Sequence, residues 1–325
     1  MSIWKLRLSI LTTLAILIGV STLFFTVILG WLGVNLIFVP VLVVIFNVVQ
    51  WLIAPYIIDA VYGVRELSPR EAPKLHRMVE RLSRASGIKK PRLMLARVPI
   101  PNAFAYGSPI AGTRVAVTEG LLSTLGDEEV EAVLGHELGH LKHRDVQVMM
   151  FASVLPAIFY WIGRSLLFTG LYYRRDEERS GGAALIGAAC LALYFLLSLL
   201  VLHLSRLREY YADAHSASIV PDGARKLSEA LAKIVYASEA GLRRSLRASG
   251  FSPEHLAFKS LFITDPECAS RDRASIELIN RGVGDEELVE RLLSRRLTPL
   301  EQFLELFSTH PNIVKRLRAL RSLYT

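Results

Sequence analysis

The chain has 325 residues, 52% of them hydrophobic, and a mean hydropathy of +0.36. These values are high for a soluble protein and favour a membrane protein. The net charge of +8 comes from basic residues spread along the chain without a nucleic-acid-binding motif, so nucleic acid is not an expected partner. Cys190 and Cys268 are the only cysteines, which leaves no basis for a disulfide framework or a cysteine-based zinc site.

Residues 1–60 are predicted to form a transmembrane hairpin, with the lipid bilayer as a partner. The sequence from Leu8 to Ile58 contains no charged residue, and about 20 apolar residues suffice to cross a bilayer as a helix. Two spans fit this length, Leu8–Leu29 and Leu36–Ile58. A cleaved signal peptide is a weaker alternative, because its apolar region would be only ~7–15 residues long.

Residues 146–203 are predicted to form a second transmembrane hairpin. Its first span covers Val146–Gly163 and runs on to Tyr173, and its second covers Gly181–Leu202. Arg164 weakens the first span, although an arginine near a helix end can extend its charge to the membrane surface. A long buried helix is the alternative for that segment.

Basic residues are distributed unevenly around the four predicted spans. They precede the first span and follow the second and the fourth: Lys5, Arg7, Arg65, Arg70, Lys74, Arg77, Arg206 and Arg208. This distribution predicts a multi-pass cell-membrane protein whose polar segments face the cytoplasm. The loop between the third and fourth spans opposes that orientation, because Arg174, Arg175 and Arg179 should prefer the same side.

The polar segments 61–145 and 204–325 are predicted to form one domain that the second hairpin interrupts. In the first segment, Ser68 and Pro69 have the pattern of a helix start, and the helix should run to Gly87.

Two short strands, Arg92–Arg97 and Thr113–Thr118, should follow on either side of a connection over Pro99–Gly112 and form a small sheet. The second segment should be mostly helical. It contains an insert near 241–298 that is either a lid or a solvated helical pair.

The sequence His136-Glu137-Leu138-Gly139-His140 lies in a helix that Asp127 is predicted to cap. Residues four apart on a helix share a face, so both histidines can direct a ring nitrogen to one tetrahedral zinc ion. Glu137 is rotated by about 100° from His136 and can act as general base towards a water whose pKa zinc lowers to ~7. The alternative is a chance match on an ordinary helix.

Catalytic zinc needs a third protein ligand, and Glu209 is available for that role. Since the second hairpin leaves and returns on one face of the membrane, Asp145 and Arg206 should emerge close together. Asp213, one turn after Glu209, can accept a hydrogen bond from the second ring nitrogen of a liganding histidine. An exposed acidic pair at helical spacing is the alternative.

Four segments of the chain together resemble the HtpX family of membrane zinc endopeptidases, relatives of the CAAX prenyl endopeptidases. They are Pro101-Asn102-Ala103-Phe104-Ala105-Tyr106-Gly107, His136 to Asp145, Arg208-Glu209-Tyr210-Tyr211-Ala212-Asp213-Ala214, and His310-Pro311 with Arg316. The resemblance covers nearly the whole chain. It implies a mostly helical α+β integral-membrane protein with about four transmembrane helices and a gluzincin-type catalytic domain that contains a small sheet.

The resemblance implies one Zn²⁺ per chain, with Glu209 as the third ligand beside His136 and His140, and with Asp213 supporting a ligand. It further implies that His310 hydrogen-bonds the oxyanion of the tetrahedral intermediate while Arg316 helps to position it. The implied substrates are polypeptides, namely membrane or misfolded proteins.

The resemblance also implies a substrate-binding strand over Asn102, Ala103, Phe104 and Ala105 at the edge of the cleft, where a peptide adds as a further strand. Judged from the residues alone, Asn102 is more simply a turn former, and the segment before Pro311 is simply a helix-start signal.

Three other functions compete with this interpretation. A non-catalytic zinc-binding scaffold is disfavoured because Glu137 is present. A CAAX prenyl-type endopeptidase stays open, although four spans are few for its enclosed membrane chamber. An intramembrane site-two protease would bury its motif inside a span, whereas charged residues at Asp127–Glu131 and Lys142–Asp145 flank this one.

Overall fold

The computed structural model describes residues 38–172, 177–248 and 284–323. The first predicted span, Leu8–Leu29, lies outside these residues, as does much of the insert predicted near 241–298. The described chain forms α1 (Phe38–Val61), β1 (Arg65–Glu66), α2 (Pro73–Ser86), β2 (Arg92–Ala96), β3 (Ala103–Ser108), β4 (Gly112–Thr118), α3 (Glu119–Thr124), α4 (Asp127–Lys142), α5 (Asp145–Tyr172), α6 (Glu177–Ile219), α7 (Gly223–Ala248), α8 (Asp285–Ser294), α9 (Pro299–Glu305) and α10 (Ile313–Arg321).

These elements divide into two compact units. One contains the described residues of Leu52–Val146 and Arg206–Thr325, and therefore the whole sheet together with both halves of the predicted polar domain. The other contains the described residues before Leu52 and those of Gln147–Ser205. The first unit has a core in which the sheet packs against α2, α4 and α7.

Two helices of the described chain are long and apolar enough to cross a membrane, at Gln147–Leu167 in α5 and from Gly182 in α6. Their apolar side chains pack around Phe159, Cys190 and Leu197. Both lie in the segment predicted as the second hairpin, and α1 covers the second predicted span. A mostly helical fold with a small mixed sheet is confirmed, while the number of four spans stays a prediction.

Helix α6 contributes residues to both units because of its length. Its 43 residues extend for about 64 Å, roughly twice the ~30 Å thickness of a bilayer core. The apolar part ends before Arg206, and the remaining polar turns, which include Glu209 and Asp213, belong to the first unit. One continuous helix thus carries both a candidate membrane span and residues of the candidate site.

The sheet has the strand order β1-β2-β4-β3, with β2 and β4 parallel and the other pairs antiparallel. The strands predicted at Arg92–Arg97 and Thr113–Thr118 are present with small shifts. Strand β3 occupies part of the segment predicted as a connection, Pro99–Gly112. Gly112, in the left-handed region with φ 71°, closes the turn that pairs β3 with β4. Strand β3 is therefore an edge of the sheet.

Two predicted helix starts are corrected by the structure. Ser68 and Glu71 exchange the expected hydrogen bonds, at 2.9 and 3.3 Å, but these close a turn, and α2 begins only at Pro73. The reason is that a residue before proline avoids the helical region, and Ala72 has φ −136° and ψ 62°. Helix α4 is capped at Gly126, whose N–H donates to Glu129 Oε2 at 2.8 Å.

Candidate metal centre and active site

Helices α4 and α6 approach closely because small residues line their contact. A side chain added at Gly139 would lie 3.1 Å from Ala212 Cα, and one added at Gly135 would lie 3.0 Å from Ser216 Oγ. The Ser216 hydroxyl donates to the carbonyl oxygen of Ala132 at 2.6 Å and ties the helices together. This close packing brings a residue of α6 within reach of the histidines on α4.

Three side chains converge at that contact, His136 and His140 from α4 and Glu209 from α6. The two Nε2 atoms are 3.2 Å apart. Glu209 Oε2 lies 3.6 Å from His136 Nε2, and Glu209 Oε1 lies 3.5 Å from His140 Nε2. These distances fit a metal centre, because a tetrahedral zinc site with bonds of ~2.0–2.1 Å has ligand atoms about 3.3–3.4 Å apart.

A second acidic group in the described chain, Glu129, Glu229 and Asp285, also has donor atoms close together. Lys233 lies between two of them, with Nζ 2.8 Å from Glu129 and 2.9 Å from Asp285. Arg225 Nη1 lies 2.8 Å from Glu229, so cationic side chains already pair with all three carboxylates and this group does not need a metal ion.

A carboxylate and an arginine support His136. Asp213 Oδ1 lies 2.9 Å from His136 Nδ1, so Nδ1 donates to Asp213 and Nε2 stays available as a ligand atom. Arg316 donates two hydrogen bonds to Asp213, from Nη2 at 2.6 Å and from Nε at 2.9 Å. All three side chains are buried. The structure thus brings Asp213 to the contact with a histidine that the sequence analysis expected.

His140 has a matching pair of supporters, Asp145 and Arg208. Asp145 Oδ2 lies 2.6 Å from His140 Nδ1, and Arg208 Nε lies 3.1 Å from the same oxygen. Sequence reasoning missed both roles, since a spacing of five residues is not that of a helix face. Arg144, in the left-handed region with φ 54°, ends one helix and turns Asp145 back towards His140. Because Arg208 directly precedes the candidate ligand Glu209, its position in the sequence could have indicated a role at the site.

The charges around the centre keep its carboxylates ionised. Burial opposes ionisation of Glu209, but the charge of His310 and the hydrogen bonds of His136 and His310 hold its pKa well below the usual value. Burial likewise opposes ionisation of Asp213, and Arg316 outweighs it and lowers that pKa. For His136, burial disfavours protonation, but Asp213 and Glu209 raise its pKa to about 10. The cluster therefore attracts positive charge.

Glu137 lies between the centre and the edge strand β3. Burial raises the pKa of its carboxyl group, while the backbone N–H of Ala105 donates a hydrogen bond to it. Asn102, just before β3, turns its carbonyl group towards β4, where it accepts a hydrogen bond from Thr118 N–H at 3.0 Å. Because successive residues of a strand turn their polar groups to opposite edges, Ala103 and Ala105 present theirs away from β4.

His310 and Arg316, two further predicted site residues, are also close to the centre. His310 Nδ1 lies 3.3 Å from Glu209 Oε2, and Arg316 Nη1 lies 3.4 Å from the same oxygen. Arg316 donates hydrogen bonds to Asp213, and its expected role in positioning His310 stays a prediction. Phe104 packs into the sheet's second apolar cluster and so faces away from the centre.

Proteins similar to this chain include several that are described as proteases. It is 44% identical over 277 residues to a protease HtpX homolog of Aeropyrum pernix, covering 84% of this chain and 81% of that protein. It is 37% identical over 325 residues to one of Thermoplasma volcanium, covering 98% and 95%. The crystal structure of S. mikatae Ste24p matches with a TM-score of 0.53 at 17% identity, covering 98% of this chain and 66% of that one, which shows a shared fold.

Membrane-length apolar helices, a buried cluster with metal-binding geometry and relatives that are proteases together define a membrane-bound metalloprotease. The family described as Peptidase family M48 matches residues 69–324, which include every residue of the cluster. The chain belongs to Peptidase family M48.

Proposed function

We propose that this chain is a zinc-dependent endopeptidase in which His136, His140 and Glu209 hold one Zn²⁺ and Glu137 is the general base. The observation that carries the proposal is the convergence of the three side chains: the two Nε2 atoms are 3.2 Å apart, and the Glu209 oxygens lie 3.5 and 3.6 Å from them. Two nitrogen donors and one carboxylate suit catalytic zinc, which keeps its fourth position open. When bound, the zinc ion polarises the scissile carbonyl group and makes water acidic.

Glu137 is suited to proton transfer by its surroundings. Its burial raises the pKa of the carboxyl group above the usual value, which favours a base that must also release its proton, because such a group works best near the operating pH. The N–H of Ala105 orients the carboxylate from the strand side. Glu137 can therefore take a proton from the attacking water and deliver it to the leaving amine.

The free edge of β3 is the proposed substrate-binding strand. The backbone groups of Ala103 and the carbonyl group of Ala105 face that edge, since the Ala105 N–H donates to Glu137. Asn102 and Phe104 anchor the strand to β4 and to the sheet. An extended polypeptide can add there by backbone hydrogen bonds, which read no particular sequence. This mode of binding suits membrane or misfolded proteins as substrates.

His310 is the proposed oxyanion partner. Its Nδ1 is directed to Glu209, 3.3 Å away, which in the protonated ring leaves Nε2–H for an oxygen that becomes negative in the transition state. Arg316 contacts Glu209 and donates to Asp213, so its proposed contribution is to hold the ligands in addition to helping to position His310.

The test of this assignment is Glu137→Gln, which removes the base and keeps the ligands. We expect a folded protein that retains zinc and loses about a hundredfold or more of its proteolytic rate on casein. The matched control is Glu128→Gln, on the same helix with a side chain that is 71% exposed. If Glu137→Gln keeps about a tenth of the wild-type rate or more, another group is the base.

The proposed topology has residues 1–60 and 146–203 as transmembrane hairpins, with 61–145 and 204–325 as the two parts of the peptidase domain on the cytoplasmic side of the cell membrane. Single cysteines at Lys142 and Arg225, in a chain lacking Cys190 and Cys268, should react with an impermeant reagent only from the cytoplasm.

A cysteine at Asp176 should react only from outside under the same conditions, because α5 and α6 would each cross the bilayer once. Reaction of all three cysteines from one side would mean that α5 and α6 do not cross, and that residues 1–60 alone anchor the protein.

A further inference from the structure

Helix α9 and the turn that follows it expose apolar side chains and bury an acidic one, which is the reverse of what is usual in a soluble protein. Leu300 and Phe303 are 59% and 57% exposed, and Leu304 and Phe307 are 36% and 44% exposed. The two acidic residues of the same helix are much less exposed: Glu305 is 8% exposed, and the side chain of Glu301 is 18% exposed. The rings of Phe303 and Phe307 lie 5.5 Å apart and form one continuous apolar surface with the leucines. An exposed surface of this kind usually marks a binding site.

The contacts of Glu305 hold the apolar side outward. Its carboxylate accepts a hydrogen bond from the backbone N–H of Asn312 at 3.1 Å and pairs with Lys315. Thr298 caps the start of the helix by accepting from Glu301 N–H at 3.2 Å. Because both ends are fixed by polar contacts, the helix cannot rotate to bury its apolar side chains without losing them.

Arg206 ties the end of α9 to helix α6. Its Nη1 donates to the carbonyl oxygens of Glu305 at 2.8 Å, Leu306 at 3.2 Å and Ser308 at 2.8 Å. Arg206 lies four residues beyond Leu202, the end of the predicted fourth span, which corresponds to about 6 Å along a helix. The polar headgroup layer on each side of a bilayer is itself about 5–8 Å thick. If the span crosses the bilayer, the end of α9 is therefore held at headgroup depth.

We propose that α9 is an interfacial membrane helix, whose residues Leu300, Phe303, Leu304 and Phe307 insert into the lipid surface on the side where α6 leaves the bilayer. The proposal rests on α6 crossing the membrane, but on none of the catalytic assignments. The bilayer is the proposed occupant because the hydrogen bonds of Arg206 hold the end of α9 at a residue only four positions beyond the predicted span. Interfacial helices bury an apolar side by about 5–10 Å in this manner.

The test uses full-length protein in which Cys190 and Cys268 are replaced and one cysteine carries an environment-sensitive fluorophore. The probe positions are Phe303 and, as a second variant, Leu304. The matched control is Gln302, which is exposed on the same helix and points away from the apolar side. Each protein is reconstituted in phosphatidylcholine and phosphatidylglycerol vesicles, with or without lipids that carry a nitroxide near the top of the acyl chain.

We expect the nitroxide lipids to quench the labels at Phe303 and Leu304 about twofold or more above the label at Gln302. Equal quenching at all three positions would overturn the proposal. So would labels at Phe303 and Leu304 that are shielded from water but not quenched by the lipids, because a polypeptide or a second copy of the chain would then cover α9. Zinc content and proteolytic activity, measured on the same samples, report separately on the catalytic proposal.

Discussion

Each candidate ligand histidine is supported by a carboxylate and an arginine, but the two supports differ in their exposure to solvent. His136, Asp213 and Arg316 are 1%, 2% and 0% exposed. The side chains of His140 and Arg208, by contrast, are 12% and 14% exposed. The first support is closed to solvent, whereas in the second Asp145 is 4% exposed and only His140 and Arg208 lie at the solvent margin. Removing a partner should therefore be more costly at His136, where no water can replace it.

The two supports also differ in how the chain assembles them. Asp145 follows His140 by five residues, and Arg208 is adjacent to Glu209, so the second support is local to the ligands. Arg316 reaches Asp213 from a separation of 103 residues. The buried support thus links the C-terminal helix α10 to the metal centre, and the site is complete only when α10 has docked.

Glu209→Ala should have the largest effect, because Glu209 is the residue that contacts both histidines. We expect zinc affinity to fall by more than the roughly 10–100-fold that loss of an outer partner costs. Zinc content after dialysis against a chelator measures this. Glu229→Ala, in the acidic group that pairs with Lys233 and Arg225, is the control and should retain zinc. Equal zinc retention in both variants would mean that the third ligand lies elsewhere.

Arg316→Met should have the next largest effect, on stability. It leaves the buried carboxylates of Asp213 and Glu209 without their cation, which costs about 3–5 kcal/mol when one partner of a buried pair is removed. Arg321→Met is the control, since Arg321 forms a surface pair with Glu290 at 2.9 Å and such pairs contribute little. Denaturant unfolding of the two variants in detergent measures the difference, and equal midpoints would contradict the buried role of Arg316.

Sequence reasoning predicted the parts of the site that follow helical spacing. The roles of His136, Glu137 and His140 were predicted from the spacing of residues on one helix. The position of Asp213 was predicted from the same spacing after Glu209 on a second helix. The approach of the two helices depended on the hairpin argument, and in the structure Glu209 does lie beside both histidines. The role of each residue in catalysis stays a prediction.

The features that were missed depend on tertiary structure. From the residues alone, strand β3 was missed because it lies in a segment that contains proline and glycine and therefore predicted a connection; only the family resemblance implied a strand there. Asp145 reaches His140 only because the chain reverses at Arg144. The outward apolar surface of α9 has an ordinary helical sequence, and only the buried position of Glu305 reveals its orientation.

Asp213→Asn and Asp145→Asn compare the two supports directly, with the smallest change in shape. Each amide keeps the size of the carboxylate but loses the charge that holds the histidine's Nδ1–H. We expect zinc affinity to fall by about 100-fold for Asp213→Asn and by about 10-fold for Asp145→Asn, the two ends of the range for such partners.

Competition with a chromogenic chelator measures both affinities under one set of conditions. The order is expected because water can solvate the donor of His140 at the margin of the site, whereas the donor of His136 has no replacement in its buried position. Equal losses, or a larger loss for Asp145→Asn, would show that burial does not set the strength of these supports. The charge of the arginine behind each carboxylate would then be the quantity to vary next.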